Sequence, residues 1–455
     1  MGMVNLKEKY ASRTIPRYTS YPTAPHFTNE VDGQVYEDWL QQLNVLEPLS
    51  LYLHVPFCQE MCHYCGCNTK ATKQIAPIRA YGDLLLKEVH LIGGKLKQAA
   101  DGKRQVQHIH WGGGTPSLLP RDIFLNVIDA LKEYFDFLPD IEHAIELDPR
   151  TVTPFLAETL VMGGINRTSL GVQDFDLEVQ KAIGRVQPLK VVETAVQALR
   201  DVGLSQINFD LMYGLPLQTE ETIRQTVEYT KQLAPGRVAL FGYAHVPWFK
   251  KHQQLIKEEH LPDAEARIML SDVSREALIE AGYEAIGLDH FALPSDEMAI
   301  ALKEHRLRRN FQGYTTDQAD TLIGFGPSSI GFLPSGYIQN SPDMRGWARQ
   351  VEEGTAPIVK GVGVHGEDKL RSQIIMELMT YYAVDVFDIC AQHGQSPEIV
   401  ADGFERLQEM VEDGLAVIRE GHIELIGEGR RYVRVAAAAF DAYLPKQAAR
   451  HSVAV

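Results

Sequence analysis

The chain has 455 residues, with 60 Asp and Glu against 44 Lys and Arg, a formal net charge of −16, and 45% hydrophobic and 23% charged residues. That balance excludes a nucleic-acid partner held mainly through phosphates, and it excludes wholesale disorder. No run is apolar enough to span a bilayer and the first nine residues lack an apolar signal core, so a cytoplasmic protein with free thiols is expected.

The length suggests about three domains, although an α/β barrel can take up more than one share. Residues 1–45 open with a proline-interrupted stretch, Arg13 to Pro25, which cannot form a continuous helix. It reads as an extended arm, and Arg17, Tyr18 and Tyr21 mark it as ordered. From residue 46 to about 355, short apolar runs alternate with helical patterns, the rhythm of a parallel sheet covered by helices. Six strands are expected: Leu49 to Val55, Val106 to Trp111, Glu142 to Leu147, Arg167 to Gly171, Gln206 to Leu211 and Arg237 to Tyr243. The fold class is α/β, a barrel or an incomplete one. Chemistry then belongs at the carboxyl ends of the strands.

Just past the first strand, Cys58, Cys62, Cys65 and Cys67 gather four of the five cysteines into ten residues. Cys58, Cys62 and Cys65 can converge as three thiolate ligands of an iron–sulfur cube, leaving a fourth iron open to a small chelating molecule. A four-cysteine zinc site and a disulfide pair remain alternatives on the cysteine pattern alone. Cys390 sits in an apolar helical context and reads as a buried thiol.

The second strand runs into Gly112-Gly113-Gly114-Thr115-Pro116. No Gly-Lys-Ser/Thr follows, so it is not a triphosphate loop. Either a tight turn or a close backbone approach to a ligand accounts for it. Later strand ends carry Glu146 and Asp148, Gln173 and Asp174, Asp210, and Gly242 to His245. Beyond the helix at 263–281 come a basic run, Lys303 to Tyr314, and a glycine-broken close-approach loop, Gly324 to Gly331, which brings Ile330 to a pocket wall. A polar linker is expected after residue 335. Residues 356–455 then read as helix, helix and hairpin, a mostly helical, winged-helix-like domain. It holds 10 Lys and Arg against 15 Asp and Glu, so it suits protein packing better than DNA.

The cysteine spacing, with Tyr64 before the third cysteine, resembles the signature of the radical S-adenosylmethionine superfamily. The arm, Tyr52 to Cys58, Trp111 to Pro116, Gly171 to Phe175, Asn208 to Pro216 and Asn310 to Thr316 together resemble the oxygen-independent coproporphyrinogen III oxidases (dehydrogenases) of that superfamily, over nearly the whole chain. The resemblance implies a radical SAM barrel of the incomplete (β/α)6 type, with an N-terminal arm contributing to the substrate site. It implies oxidative decarboxylation of two propionates of coproporphyrinogen III to give protoporphyrinogen IX in haem biosynthesis, using 5′-deoxyadenosyl radicals. The implied cofactors are a 4Fe-4S cluster on Cys58, Cys62 and Cys65 and two molecules of S-adenosylmethionine. Contacts to the latter carry over onto Tyr52, Tyr64, Gly113, Gly114, Thr115, Glu146, Gln173, Arg185, Asp210, Ala244 and Ile330. Cys67 follows the family pattern without being a ligand. For the substrate carboxylates, Arg17, Tyr18, Tyr21 and Gln312 are expected, with Arg306, Arg308 and Arg309 nearby. The implied partners are a low-potential electron donor and a final electron acceptor, and the protein is expected to act as a monomer. A haem chaperone of the same superfamily is the alternative, but such proteins generally lack the fourth cysteine and the arm.

Overall fold

Apolar strands separated by amphipathic helices leave few ways to bury both faces of a sheet, and the chain adopts the expected one. The computed structural model describes residues 6, 9, 10 and 13–444. Strands β1 (Leu49–Val55), β2 (Arg104–Gly113), β3 (Phe135–Leu147), β4 (Arg167–Gln173), β5 (Gln206–Tyr213) and β6 (Arg237–Gly242) lie side by side in chain order, each parallel to the next. The first and sixth do not pair, so the barrel is open. All six carboxyl ends therefore point to one rim, which the cysteine loop joins directly after β1.

The sheet is wider than the six expected strands. Beside β6 lie β7 (Glu284–Ile286) and β8 (His290–Ala292), both antiparallel additions. On the other edge, β9 (Leu322–Phe325) runs parallel to β1, followed by antiparallel β10 (Ile330–Leu333), β11 (Gly336–Asn340) and β12 (Ile358–Gly363). Two expectations are corrected here. The stretch 324–331 is a strand–turn–strand rather than a loop, and the polar segment after residue 335 is structured as β11, the helix Met344–Glu352 and β12. Alternation in such short strands was hidden by glycine and polar residues.

The long helix Ile75–Ala100 covers this junction. Its Ile78, Tyr81, Leu85, Val89, Ile92 and Leu96 recur every three or four residues and are buried on the sheet. Each such side chain stabilises the fold by roughly 1.5–3 kcal/mol. Within the same stripe lies Glu88, fully buried, which accepts from Gly326 N (2.7 Å), Asn340 Nδ2 (2.7 Å) and Trp347 Nε1 (3.1 Å). Burial pushes its carboxyl up to about 7 despite those three donors. The β9–β12 extension is thereby tied to the barrel by one side chain.

Helices Asp368–Tyr381, Val386–Gln392 and Ala401–Glu412 pack with a three-stranded sheet of Ala383–Asp385, Ala416–Arg419 and His422–Leu425. This is the expected helical unit with its hairpin, closed by a further helix, Val433–Ala439, and Cys390 is buried in its core. Tyr10, Ile15, Tyr18 and Tyr21 belong to the same core. The arm is therefore a strap across the C-terminal unit, reaching the sheet where Thr28 pairs with Gly361 of β12.

Candidate active site

The cysteine loop is held on every side by backbone bonds. His63 N donates to Ile183 O (2.9 Å), Cys65 N to Cys62 O (3.2 Å) and Thr72 N to Cys58 O (2.8 Å). From the segment after β6, Lys250 Nζ donates to Cys67 O (2.9 Å), Gln253 Nε2 donates to Tyr64 O (2.9 Å), and His252 Nε2 lies 2.7 Å from Cys65 O. All five cysteines are unpaired, which removes the disulfide alternative. Among the described residues, no three His, Cys, Asp or Glu side chains close around a point that one ion could occupy, the geometry that zinc requires.

The donor chemistry fits an iron–sulfur cube, whose irons take separate thiolates. Thr115 Oγ1 lies 3.6 Å from Cys58 Sγ, and Arg185 Nη1 lies 3.4 Å from Cys62 Sγ. Such donors stabilise thiolate charge and tune clusters. Burial holds the Cys58 thiol up to about 11, so a metal must displace its proton. The neighbouring Cys67 thiol favours the Cys65 thiolate and holds Cys65 below the usual thiol range. Cys67 is a neighbour of a ligand set.

The triple glycine is a steric necessity. A Cβ on Gly114 would meet the backbone of Phe57 at 2.5 Å, one on Gly113 (φ +110°) would strike the His54 ring at 2.7 Å, and one on Gly112 would crowd Glu146 and Tyr52. Gly113 N donates to Glu146 Oε2 (3.2 Å), and Thr115 N donates to Phe57 O (2.7 Å). Glycine thus locks the end of β2 against the start of the cysteine loop.

In front of this layer opens a cavity of about 1520 Å³. A drug-sized ligand usually occupies roughly 300–1,000 Å³, so the space exceeds one such molecule. Tyr52, Tyr64, Cys67, Glu146, Gln173, Asp210, Ala244 and Ile330 line it, as do Arg17, Tyr21 and Gln312. Gly113, Gly114, Thr115 and Arg185 stand with the three cysteines in the layer behind. Arg185 donates to Gly171 O (2.7 Å) and pairs with Asp148 (3.3 Å), while its buried Nε has no partner. Burial and the neighbouring Glu146 charge push Asp210 up to about 7; Ser169 Oγ donates to it at 3.1 Å.

Tyr18 departs from its expected place. It is buried with its hydroxyl donating to Asp441 (2.9 Å), away from the cavity, because its side chain completes the C-terminal core. Tyr21 reaches the cavity edge, and its hydroxyl accepts from Ala442 N (2.9 Å). The basic run divides clearly. All three arginines line the cavity, but Arg306 pairs with Glu297 (2.8 Å) and Arg308 with Asp320 (2.7 Å), both exposed. Arg309 turns inward over the Tyr314 ring, 4.7 Å from its centroid, and its buried Nη1 has no partner. The buried Nε2 of Gln312 is likewise unpartnered. Burial works against ionisation of Asp289, yet a hydrogen bond from His290 and the charges of Arg309 and Arg17 hold its carboxyl below the usual range.

Sequence reasoning missed a column of rings inside the barrel. Tyr52 stacks on His110 (6.0 Å, 18°) and His110 on His108 (6.4 Å, 13°), with Tyr52 Oη 3.0 Å from His54 Nδ1. Glu146 bonds His110 (3.1 Å), and Glu142 bonds His108 (3.2 Å) and Arg167 (2.9 Å). The signal was the period of two: residues 52 and 54, and 108 and 110, face one side of adjacent strands.

An open parallel barrel with three cysteines at its carboxyl rim, arranged for a cluster beside a large ligand cavity, defines a radical SAM enzyme. The model of the Radical SAM superfamily matches residues 52–230. The chain is 45% identical over 452 residues to the oxygen-independent coproporphyrinogen III oxidase of Bradyrhizobium diazoefficiens, covering 99% of each, and 36% identical to the Salmonella typhimurium enzyme of that name, covering 95% of this chain and 94% of that one. Its structure matches that of the coproporphyrinogen III oxidase HemN from Escherichia coli with a TM-score of 0.89 and 34% identity, over 94% of this chain and 97% of the other. The chain belongs to the oxygen-independent coproporphyrinogen III oxidase family.

Proposed function

We propose that this protein converts coproporphyrinogen III to protoporphyrinogen IX without oxygen, turning two propionate side chains into vinyl groups in haem biosynthesis. The observation that carries this reading is the part of the cavity wall formed by the arm and the basic run. There Arg309 Nη1 and Gln312 Nε2 are buried donors without acceptors, with Arg17 beside them on the same wall. Unsatisfied donors of that kind cost free energy unless a ligand supplies the acceptors, and a substrate with four carboxylates supplies them.

Cys58, Cys62 and Cys65 would hold a 4Fe-4S cluster, and the rim residues two molecules of S-adenosylmethionine. Bound there, these groups supply an oxidant strong enough to take a hydrogen atom from an unactivated C–H bond. The chain's own contribution is placement. Glu146, fixed by His110 and Gly113 N, presents a carboxylate acceptor at the rim, suited to ammonium or hydroxyl groups. Asp210, near neutrality at about 7, can accept or donate to a ribose. Arg185 supplies positive charge behind Cys62, and Tyr64 a stacking surface. Arg17, Arg309 and Gln312 would set the substrate's carboxylates, which determines which β-carbon faces the cysteine layer. A low-potential electron donor, a final electron acceptor, a monomeric state and a cytoplasmic location complete the proposal.

Anaerobically reconstituted protein, coproporphyrinogen III, S-adenosylmethionine and a reductant test it. Protoporphyrinogen IX is the expected product. Haem retained one-to-one with no such product would overturn the reading in favour of a haem chaperone.

A further inference from the structure

The segment that follows β6 and buttresses the cysteine loop carries an unusual outer face. Trp248 is 71% exposed, Phe249 75% and Leu255 63%, in one short stretch. Exposed aromatic side chains adjoining one another mark interaction sites more often than bare surface, and aromatic residues are enriched at interface centres. The same stretch, Val246 to Lys257, holds Lys250, Lys251 and Lys257 and no Asp or Glu, within a chain of net charge −16; the exposed Glu258 and Glu259 follow directly.

The inner face of this segment touches the cysteine loop directly. Lys250, whose ammonium lies 5.4 Å from the Phe249 ring centroid, donates to the carbonyl of Cys67. The partly exposed ring of His252 lies 2.7 Å from the carbonyl oxygen of Cys65. An aromatic and basic surface is thus separated from a cluster-ligand residue by a single side chain. The cavity lies on the other side, where Val246 and Gln253 of the same segment line it.

We propose that Trp248, Phe249 and Lys251 form the docking surface for an acidic one-electron carrier protein, and that His252 provides the short contact through which its electron reaches the cluster. The inference rests on the reading of Cys58, Cys62 and Cys65 as cluster ligands. In the transfer, the reduced carrier loses one electron and the oxidised cluster gains it; no bond or proton changes hands. Charge complementarity selects the partner: the lysines at 250, 251 and 257 attract an acidic carrier to this end of the segment within a chain of net charge −16, which favours one orientation and a faster encounter.

The test compares wild type with the double variant Trp248→Ser/Lys251→Glu and the distant control Lys190→Glu, all with reconstituted clusters. Cluster bleaching is followed by stopped flow with two probes of the carrier class, a reduced flavodoxin and a reduced acidic ferredoxin, and separately with dithionite. The double variant is expected to lose at least about tenfold in second-order rate with the proteins, with a weaker dependence on salt. Its iron content, its dithionite rate and its dithionite-driven turnover stay at wild-type values, and Lys190→Glu behaves as wild type. Equal protein-driven rates in wild type and double variant would overturn the proposal, as would failure of both proteins to reduce the wild-type cluster. A parallel fall in the dithionite rate would assign the patch to supporting the loop instead. A wild-type protein that takes up no cluster would refute the underlying reading rather than the docking surface.

Discussion

Gly114→Ala perturbs the junction between β2 and the cysteine loop and little else. The new Cβ would stand 2.5 Å from Phe57 O, with Phe57 C and N at 2.8 and 2.9 Å. All three are backbone atoms, so no side-chain rotation relieves the clash. Reaching the 3.4 Å at which ordinary contact begins requires the two segments to part by about 0.9 Å. That movement would stretch the Thr115 N–Phe57 O bond from 2.7 Å beyond hydrogen-bonding range and pull Thr115 away from Cys58. Overpacking costs about 1–3 kcal/mol and the lost bond about 1 kcal/mol, for a total of about 2–4 kcal/mol. The assay is iron and sulfide per chain after anaerobic reconstitution, together with turnover. The variant should hold less cluster and lose at least tenfold in rate, since small misplacements at a reacting centre are amplified. Gly102→Ala, remote from the cavity after the helix Ile75–Ala100, adds a Cβ that meets nothing within 4 Å and should match wild type. Full iron content and wild-type turnover in Gly114→Ala would refute the reasoning.

Arg309→Ala should raise the KM for coproporphyrinogen III about ten- to a hundredfold with iron content unchanged, since a hydrogen bond to a charged group contributes about 1.5–3 kcal/mol. Arg308→Ala should raise it less, within a few-fold by the same steady-state kinetics, because the exposed Arg308 also lines the cavity but is already paired with Asp320. Tyr18→Phe removes the donor to Asp441 Oδ2, while Tyr443 N and Leu444 N still donate to Oδ1, and should cost about 1–3 kcal/mol in urea denaturation with turnover per folded molecule retained. Glu88, raised from 4.5 to about 7, keeps a proton in the folded state at pH values where the unfolded chain has lost it. Its contribution to stability therefore falls as pH rises from about 4.5 to 7, by about 3 kcal/mol. Urea midpoints between pH 5 and 8 should decline less steeply in Glu88→Gln than in wild type.

The parallel core was readable because each of its strands is a short apolar run bounded by turn residues and followed by an amphipathic helix. The rim was readable for a related reason: cysteines, a triple glycine and isolated carboxylates all fall just past strand ends. Strands β9 to β12 were not, because Gly324, Gly331 and Gly336 interrupt their alternation and pairing with the sheet edge overrides weak local propensity. Tyr18 was misplaced because arm residues of one type divide between core and cavity according to tertiary packing alone. Arg309 could not be separated from Arg306 and Arg308 in the sequence. All three line the cavity, and only the pairing of Arg306 with Glu297 and Arg308 with Asp320 leaves Arg309 as the one with a buried, unpartnered nitrogen.

The most direct measurement of the central claim is a count of carbon dioxide from coproporphyrinogen III labelled at the propionate carboxyls. Anaerobically reconstituted protein should release two molecules per molecule of substrate converted, with S-adenosylmethionine required and protoporphyrinogen IX as the product. No labelled carbon dioxide from protein that carries its full cluster and binds S-adenosylmethionine would contradict the account.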